Sequence, residues 1–281
     1  MISEYKKNRP VASYSLEELL PHSLFSSPAV SIRTIDTVSD AASLLAHNLE
    51  YFTSTLVVTK DELPVGMIGG ADLLDAIIKN PKFSDKTPIN EIINNNLITV
   101  TKQTRLDELL KTWLQTKRAF AIIPNQYHGY SAISARKLLE IGALCKTNMK
   151  ISNIPKKKII TFSKDHTIRE VIIAMFENKT RKLILENTLS FISDRIITEK
   201  IIKEPKHLQN INTFLDMNVN VCKLENVKTV SNDLEIPEAC KIMHDMLHPY
   251  LMTGDQVVSP WDIVLILGSK DLIDYQWQNQ K

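Results

Sequence analysis

Four short hydrophobic anchors, Ile32, Val100, Phe162 and Val230, stand 68, 62 and 68 residues apart along the chain. Six positions after each comes the first residue of an apolar stripe: Val38, Leu106, Ile168 and Ile236. Every stripe continues at offsets +3, +4, +7 and +8, which is one face of a 3.6-residue period. The four stripes end at Ala46, Leu114, Phe176 and His244. No other feature constrains the fold as strongly. A unit of about 60 residues with strand, helix, strand, strand and helix in order cannot bury its faces alone, so the units must pair.

The same elements recur in each period. The first has a short strand at Val30 to Ile32, the stripe helix, a β-branched strand at Thr55 to Val58 and a turn at Lys60-Asp61-Glu62. The second has Ile98 to Val100, then paired strands AFAII (119–123) and YSAI (130–133). The third has Ile160 to Phe162, with KLIL (182–185) and SFI (190–192). The fourth has Thr229-Val230 and its stripe helix. Each period closes at a strand-to-helix junction: GGADLL (69–74), SARKLL (134–139), SDRIIT (193–198) and SPWDIV (259–264).

The first junction carries the most chemistry. VGMIGGADLLDAII, Val65 to Ile78, reads as a buried strand breaking at Gly69-Gly70 into a helix with Asp72 in its first turn. Paired glycines let a ligand approach the backbone. The helix start offers unpaired N–H groups that suit a phosphate. A first-turn carboxylate can accept two hydrogen bonds from a vicinal diol, as the acidic residue of dinucleotide folds does for ribose.

Composition excludes several classes. Hydrophobic residues make up 43% of the chain, enough for a sizeable core, and the formal charge of +2 argues against a dedicated nucleic-acid binder. Cys145, Cys222 and Cys240 form no CxxC and no disulfide framework, which points to a reducing cytoplasm. The polar start MISEYKKNRP has no signal-peptide core, and no apolar run is long enough to span a membrane.

Short strand, stripe helix, two strands and a junction of the form Gly-x-hydrophobic-(Ser/Thr)-x-x-Asp resemble the cystathionine-beta-synthase (CBS) domain. The resemblance covers roughly residues 15–270. It implies an α/β fold of the α+β type: four β-α-β-β-α repeats at 15–79, 80–147, 148–204 and 205–270, between a flexible tail (1–14) and a C-terminal tail (271–281). Such repeats pair into two Bateman modules, here about 15–147 and 148–270, stacked as a disc. The layout is similar to that of AMP-activated protein kinase gamma subunits.

The resemblance implies a regulatory protein rather than an enzyme. It would sense AMP, ADP or ATP, with S-adenosylmethionine ranked after them, in clefts between repeats, and would signal to a protein partner as a monomer or homodimer. The family's ribose-binding acid falls on Asp72 and Asp262, but on Lys137 and Ile196 in the middle repeats. Its Ser/Thr three positions earlier falls on Gly69, Ser134, Ser193 and Ser259. Only the fourth repeat keeps both members. The site expected from the resemblance is therefore Asp262, Ser259 and the short-strand residue Thr229, with Asp72, Gly69 and Ser31 in the first repeat. The alternative is a ligand-free scaffold or dimerisation module with degenerate sites.

Other residues carry two readings each. Arg136 and Arg195 could meet a phosphate or stand solvated in a first helical turn. Trp261 could cover an adenine or pack between modules. Lys156, Lys157 and Lys158 could gather anions or form a solvated run, which is the preferred reading. His244 and His248 have metal-ligand spacing but no HExxH, so they read as packing residues. Cys240 replaces small and aliphatic stripe residues and reads as core. No catalytic constellation and no metal site are expected. About 25 residues outside the repeats cannot build a catalytic domain.

Overall fold

In the computed structural model the described residues are 9–48, 55–80, 82–125, 129–254 and 256–272. A short helix α1 (Leu16–Leu19) precedes the first repeat: β1 (Ser31–Arg33), α2 (Val38–His47), β2 (Thr55–Lys60), β3 (Leu63–Gly69) and α3 (Gly70–Lys79). The second has α4 (Leu106–Thr116), β4 (Phe120–Pro124), β5 (Tyr130–Ser134) and α5 (Ala135–Leu144). Its short strand is reduced to one parallel bridge, Thr99 to Ile122. The third has β6 (Thr161–Phe162), α6 (Ile168–Glu177), β7 (Lys182–Leu185), β8 (Ser190–Ser193) and α7 (Asp194–Lys203). Helices α8 (Lys206–Gln209) and α9 (Ile211–Leu215) and strand β9 (Glu225–Asn226) follow. The fourth has β10 (Lys228–Thr229), α10 (Ile236–His244), β11 (Leu251–Thr253), β12 (Gln256–Val258) and α11 (Pro260–Ile266).

The sheets are open. In repeats one, three and four the short strand lies parallel to the first strand of an antiparallel hairpin: β1 on β2, β6 on β7 and β10 on β11. The hairpin β11–β12 is absent from the sequence reading because strands of three residues are too short to display alternation.

The stripe helices begin at Val38, Leu106, Ile168 and Ile236, each the first stripe residue. Thr37 and Thr167 cap two of them in reciprocal bonds with Asp40 and Glu170. Burial covers offsets 0, +3, +4 and +7 in all four. The last offset falls outside: Leu114 is 42% and Phe176 38% exposed. At 3.6 residues per turn that position lies about 80° from the first, on the flank of the buried face.

A second fourfold pattern lies in the linkers. The first N–H of each stripe helix has no partner within the helix. Val38, Leu106, Ile168 and Ile236 donate it to the carbonyls of Thr87, Tyr14, Met217 and Met149, at 2.8–3.0 Å. Two residues on, the linker N–H groups of Ile89, Leu16, Val219 and Ile151 return bonds to Asp36, Thr104, His166 and Leu234. All four returning residues are fully buried. The segment leading repeat one thus clasps the helix of repeat two, and the segment leading repeat two clasps that of repeat one; repeats three and four exchange likewise. The boundaries 15–79, 80–147, 148–204 and 205–270 therefore do not coincide with the packed repeats.

The chain forms two compact units. The first holds the residues up to Ala29, Leu97–Lys157 and those from Lys228. Within it α5 packs on α10 and α11, helices of repeats two and four. Gly142 of α5 permits that approach, since a Cβ there would lie 2.3 Å from Cys240 Sγ. One cluster of its core includes Tyr14, Trp113, Leu138 and Val264, another Leu139, Cys240 and Ile263. The second unit holds Val30–Asn96 and Lys158–Val227. Within it α7 packs on α2 and α3, with Thr198 against Gly70. This division differs from the expected grouping of consecutive repeats at 15–147 and 148–270. An apolar stripe requires a partner helix but does not encode which repeat supplies it.

The tail expected over 1–14 is corrected for its last residues. Val11 and Tyr14 are fully buried, and Val11 N–H donates to Leu272 O at 2.7 Å. Arg9 lies over the Tyr14 ring at 3.8 Å and pairs with Glu18. Leu272, assigned to the C-terminal tail, is buried as well. The polar residues before Pro10 mask a short apolar run that belongs to the core.

Candidate functional site

The fourth junction is built on a capping box. Ser259 is the extended residue preceding α11, and Asp262 is the third residue inside it. Asp262 Oδ2 accepts the Ser259 N–H at 2.8 Å and the Ser259 hydroxyl at 2.5 Å. Its Oδ1 accepts from Lys157 Nζ. The Asp262 side chain is 5% exposed and that of Lys157 59%, so the ammonium reaches the acid from the solvent side. Burial pushes the Asp262 carboxyl up, but the bonds from Lys157 and Ser259 outweigh it and hold it below its usual value. Asp262 is thus an anion with one oxygen fixed to its own helix and the other on a long, solvent-facing cation. Thr229 is exposed on β10 in the same unit.

The first junction keeps only the backbone half of that cap, since Gly69 has no side chain, and has a different partner. Asp72 Oδ2 accepts the Gly69 N–H at 2.9 Å, and Oδ1 accepts from Asn94 Nδ2 at 3.1 Å. Asn94 exchanges both backbone hydrogen bonds with Met67, each 2.9 Å, and its own Oδ1 accepts the Asn96 N–H at 3.0 Å. A neutral, backbone-anchored amide stands here where Asp262 has a lysine. Gly70 serves the approach of Thr198 in the core, where an added Cβ would lie 3.0 Å from Oγ1. Ser31 is exposed on β1, opposite Val57.

The middle junctions have caps as well. Ser134 and Ser193 accept from the N–H groups of Lys137 and Ile196 as helix caps. Lys137 pairs with Glu140 at 2.7 Å, and Ile196 is buried. Arg136 donates to the His244 carbonyl, and Arg195 bonds Glu199 at 2.9 Å with both side chains largely buried. Neither arginine is the solvated first-turn residue of the sequence reading. Trp261 packs on the core of its own unit. The lysine run is divided: Lys157 holds Asp262, and Lys156 and Lys158 are exposed.

His244 is the last residue of α10 and contacts Glu140 and Asp245 at 3.3 Å. His248 lies beyond that helix, so the expected i, i+4 pair on one helix does not form. Among the described residues no group of three or more His, Cys, Asp or Glu could hold a metal ion. No helix among them is long and apolar enough to cross a membrane. Cys240 is fully buried, as its stripe position requires.

Two partners of the acids escape the sequence reading. Asn94 lies 22 residues from Asp72 and Lys157 lies 105 from Asp262. Only the lysine run gave a signal. The Ser-x-x-Asp spacing also has a second physical meaning, since a helix capping box has the same form.

Residues 22–79 match the CBS domain family. The likeness extends in fold across the other repeats, whose β-α-β-β-α units have the architecture of CBS domains in Bateman modules. A protein from Methanocaldococcus jannaschii, proposed as an archaeal homolog of g-AMPK, superposes with a TM-score of 0.72 at 18% identity, covering 85% of this chain and 95% of that one. An uncharacterized conserved protein from Pyrococcus horikoshii gives a TM-score of 0.53 at 9% identity over the same shares. A search of curated proteins finds no match.

Proposed function

We propose that the chain is a regulatory protein that senses AMP, ADP or ATP and passes the signal to a protein partner, with no chemistry of its own. The reading rests on one observation. Asp262 is a buried, ionised carboxylate whose outer oxygen is held by a solvent-facing lysine, so two ligand hydroxyls could take that place without breaking its helix cap. Ser259 and Thr229 complete the site, and a second one at Asp72, Gly69 and Ser31 is secondary to it. The fold shared with the Methanocaldococcus jannaschii protein, itself proposed as a homolog of g-AMPK, supports the reading by analogy. Ligand shifts a conformational equilibrium only through differential affinity, so a partner would read whichever arrangement binds nucleotide more tightly. The protein would act in the cytoplasm as a monomer or homodimer.

A scaffold without ligand is the second reading. It is favoured by Asp72, whose two oxygens already hold backbone-anchored donors, and by Lys137 and Ile196 in the other slots. Thermal unfolding with AMP, ADP, ATP and S-adenosylmethionine, on wild type and Asp262→Ala, separates the two. Ligand at 100 times its dissociation constant adds about 2.7 kcal/mol. That corresponds to roughly 5–10 °C for a protein of this size. A shift lost in Asp262→Ala supports the sensor. Absence of a shift with all four ligands refutes it and leaves the scaffold.

A further inference from the structure

The two acids that cap α3 and α11 differ in what holds their second oxygen. At Asp72 it is Asn94, which exchanges two backbone bonds with Met67 and whose side-chain oxygen accepts a third from the Asn96 N–H. At Asp262 it is Lys157, whose stem carries one charge to the acid and is otherwise in water. Turning the Asn94 side chain away from Asp72 would also break the bond that its Oδ1 accepts from the Asn96 N–H. Removing Lys157 from Asp262 requires only rotation of an exposed side chain. Most of the Lys157 side chain stays in water whether or not its ammonium is on the acid, so its departure costs one charged hydrogen bond and uncovers no buried cation.

Resting on the nucleotide reading above, we propose that Lys157 sets the specificity of the Asp262 site, excluding neutral nucleosides and admitting phosphorylated ones. A vicinal diol needs the oxygen that Lys157 occupies. Adenosine displaces the ammonium and gives it nothing in return, so its apparent affinity falls by the fraction of chains in which Lys157 is already off the carboxylate. A nucleotide presents the diol and a phosphate together. The displaced ammonium stays within reach of the site on its flexible stem and transfers from carboxylate to phosphate, exchanging one charge-assisted bond for another. The buried Asp262 charge remains hydrogen-bonded throughout, first to the lysine and then to the diol. The same exchange cannot operate at Asp72, where the donor is neutral and tethered.

The test is calorimetric titration of the full chain with AMP and with adenosine, on wild type, Lys157→Met and Lys157→Arg. Methionine keeps the length of the stem and removes the charge. Wild type binds AMP at least about tenfold more tightly than adenosine, a difference of about 1.4 kcal/mol. In Lys157→Met the two ligands move in opposite directions: AMP weakens by about tenfold for a lost charged hydrogen bond, and adenosine tightens by about two- to fivefold as competition disappears. Lys157→Arg keeps the preference for AMP. Both ligands weakening together, or neither changing, overturns the role of Lys157 while leaving the sensor intact. Wild type binding neither ligand overturns the sensor, and this inference with it.

Discussion

Gly142 sits inside α5 where the helix meets α10, and its replacement by alanine measures how closely the two repeats are packed. A helix-interior Gly→Ala change is worth about 1 kcal/mol in favour of folding on propensity alone. Here the added Cβ would lie 2.3 Å from Cys240 Sγ, with Leu267 Cδ2 at 3.4 Å and Cys240 Cβ at 3.5 Å behind it. Cys240 is fully buried within a core cluster, and in a close-packed interior its sulfur moves only by displacing neighbours. Overpacking of this kind costs about 1–3 kcal/mol, and a displacement of more than an ångström places it at the upper end. Net destabilisation of about 2 kcal/mol follows, a fall of roughly 4–8 °C in Tm. Cys240→Ala alone loses about 1 kcal/mol of buried side chain. In the double variant the new methyl group fills the space left by the sulfur, and stability returns to within about 0.5 kcal/mol of wild type, a coupling of about 3 kcal/mol. Urea unfolding of the four proteins gives the cycle. Gly142→Ala as stable as wild type, or additivity in the double variant, would refute the close approach of α5 and α10.

Two further outcomes concern titratable groups. Glu204 is lowered from 4.5 to about 2, chiefly by its hydrogen bond from Lys200, and Asp262 is lowered by Lys157 and Ser259 against the effect of burial. Groups depressed in the folded state contribute their full stability above the unfolded value and lose it as pH falls through the folded one. The urea midpoint is therefore level near neutrality and declines from about pH 4.5 towards pH 2, and a midpoint that rises in this window would contradict both pairings. Burial pushes the Cys145 and Cys222 thiols up to about 12, and Cys240 rises for the same reason. All three are buried. A thiol reagent at neutral pH leaves the native protein unlabelled and modifies three groups after denaturation; rapid native labelling would place a cysteine at the surface.

The repeat was legible because its signal is local. A stripe of 3.6-residue period needs only its own helix to be recognised, and the four helices begin where Val38, Leu106, Ile168 and Ile236 foretell. The stripe lengths were overread by one position, since Leu114 and Phe176 mark the flank of the helix rather than its buried centre. The linker clasps were not legible. Their signal is one buried residue, Leu16, Ile89, Ile151 or Val219, at the start of a helical turn of three or four residues, too short to show a period. At the site, Asp262 follows from the family motif and Asp72 from its own strand-to-helix junction as well, and the same three-residue spacing suits a helix cap. Their second partners, Asn94 and Lys157, come from distant chain and depend on the fold already being formed.

The chain passes between the two compact units four times, after Ala29, Asn96, Lys157 and Val227. Neither unit is a continuous stretch of sequence, which bears on how the protein is made. When a ribosome has delivered the first two repeats, α5 still lacks both α10 and α11, and α2 and α3 still lack α7. The first unit must wait for on the order of 100 further residues, roughly 5–20 s at ordinary rates of synthesis. During that interval the apolar faces of α5 are without their native partners, the condition in which nascent chains engage chaperones or one another. A fragment ending near residue 147 reproduces that stalled state, with half of each unit and neither one whole. Contacts formed so far apart in sequence also make for slow refolding, with assembly governed by the arrival of the last repeat.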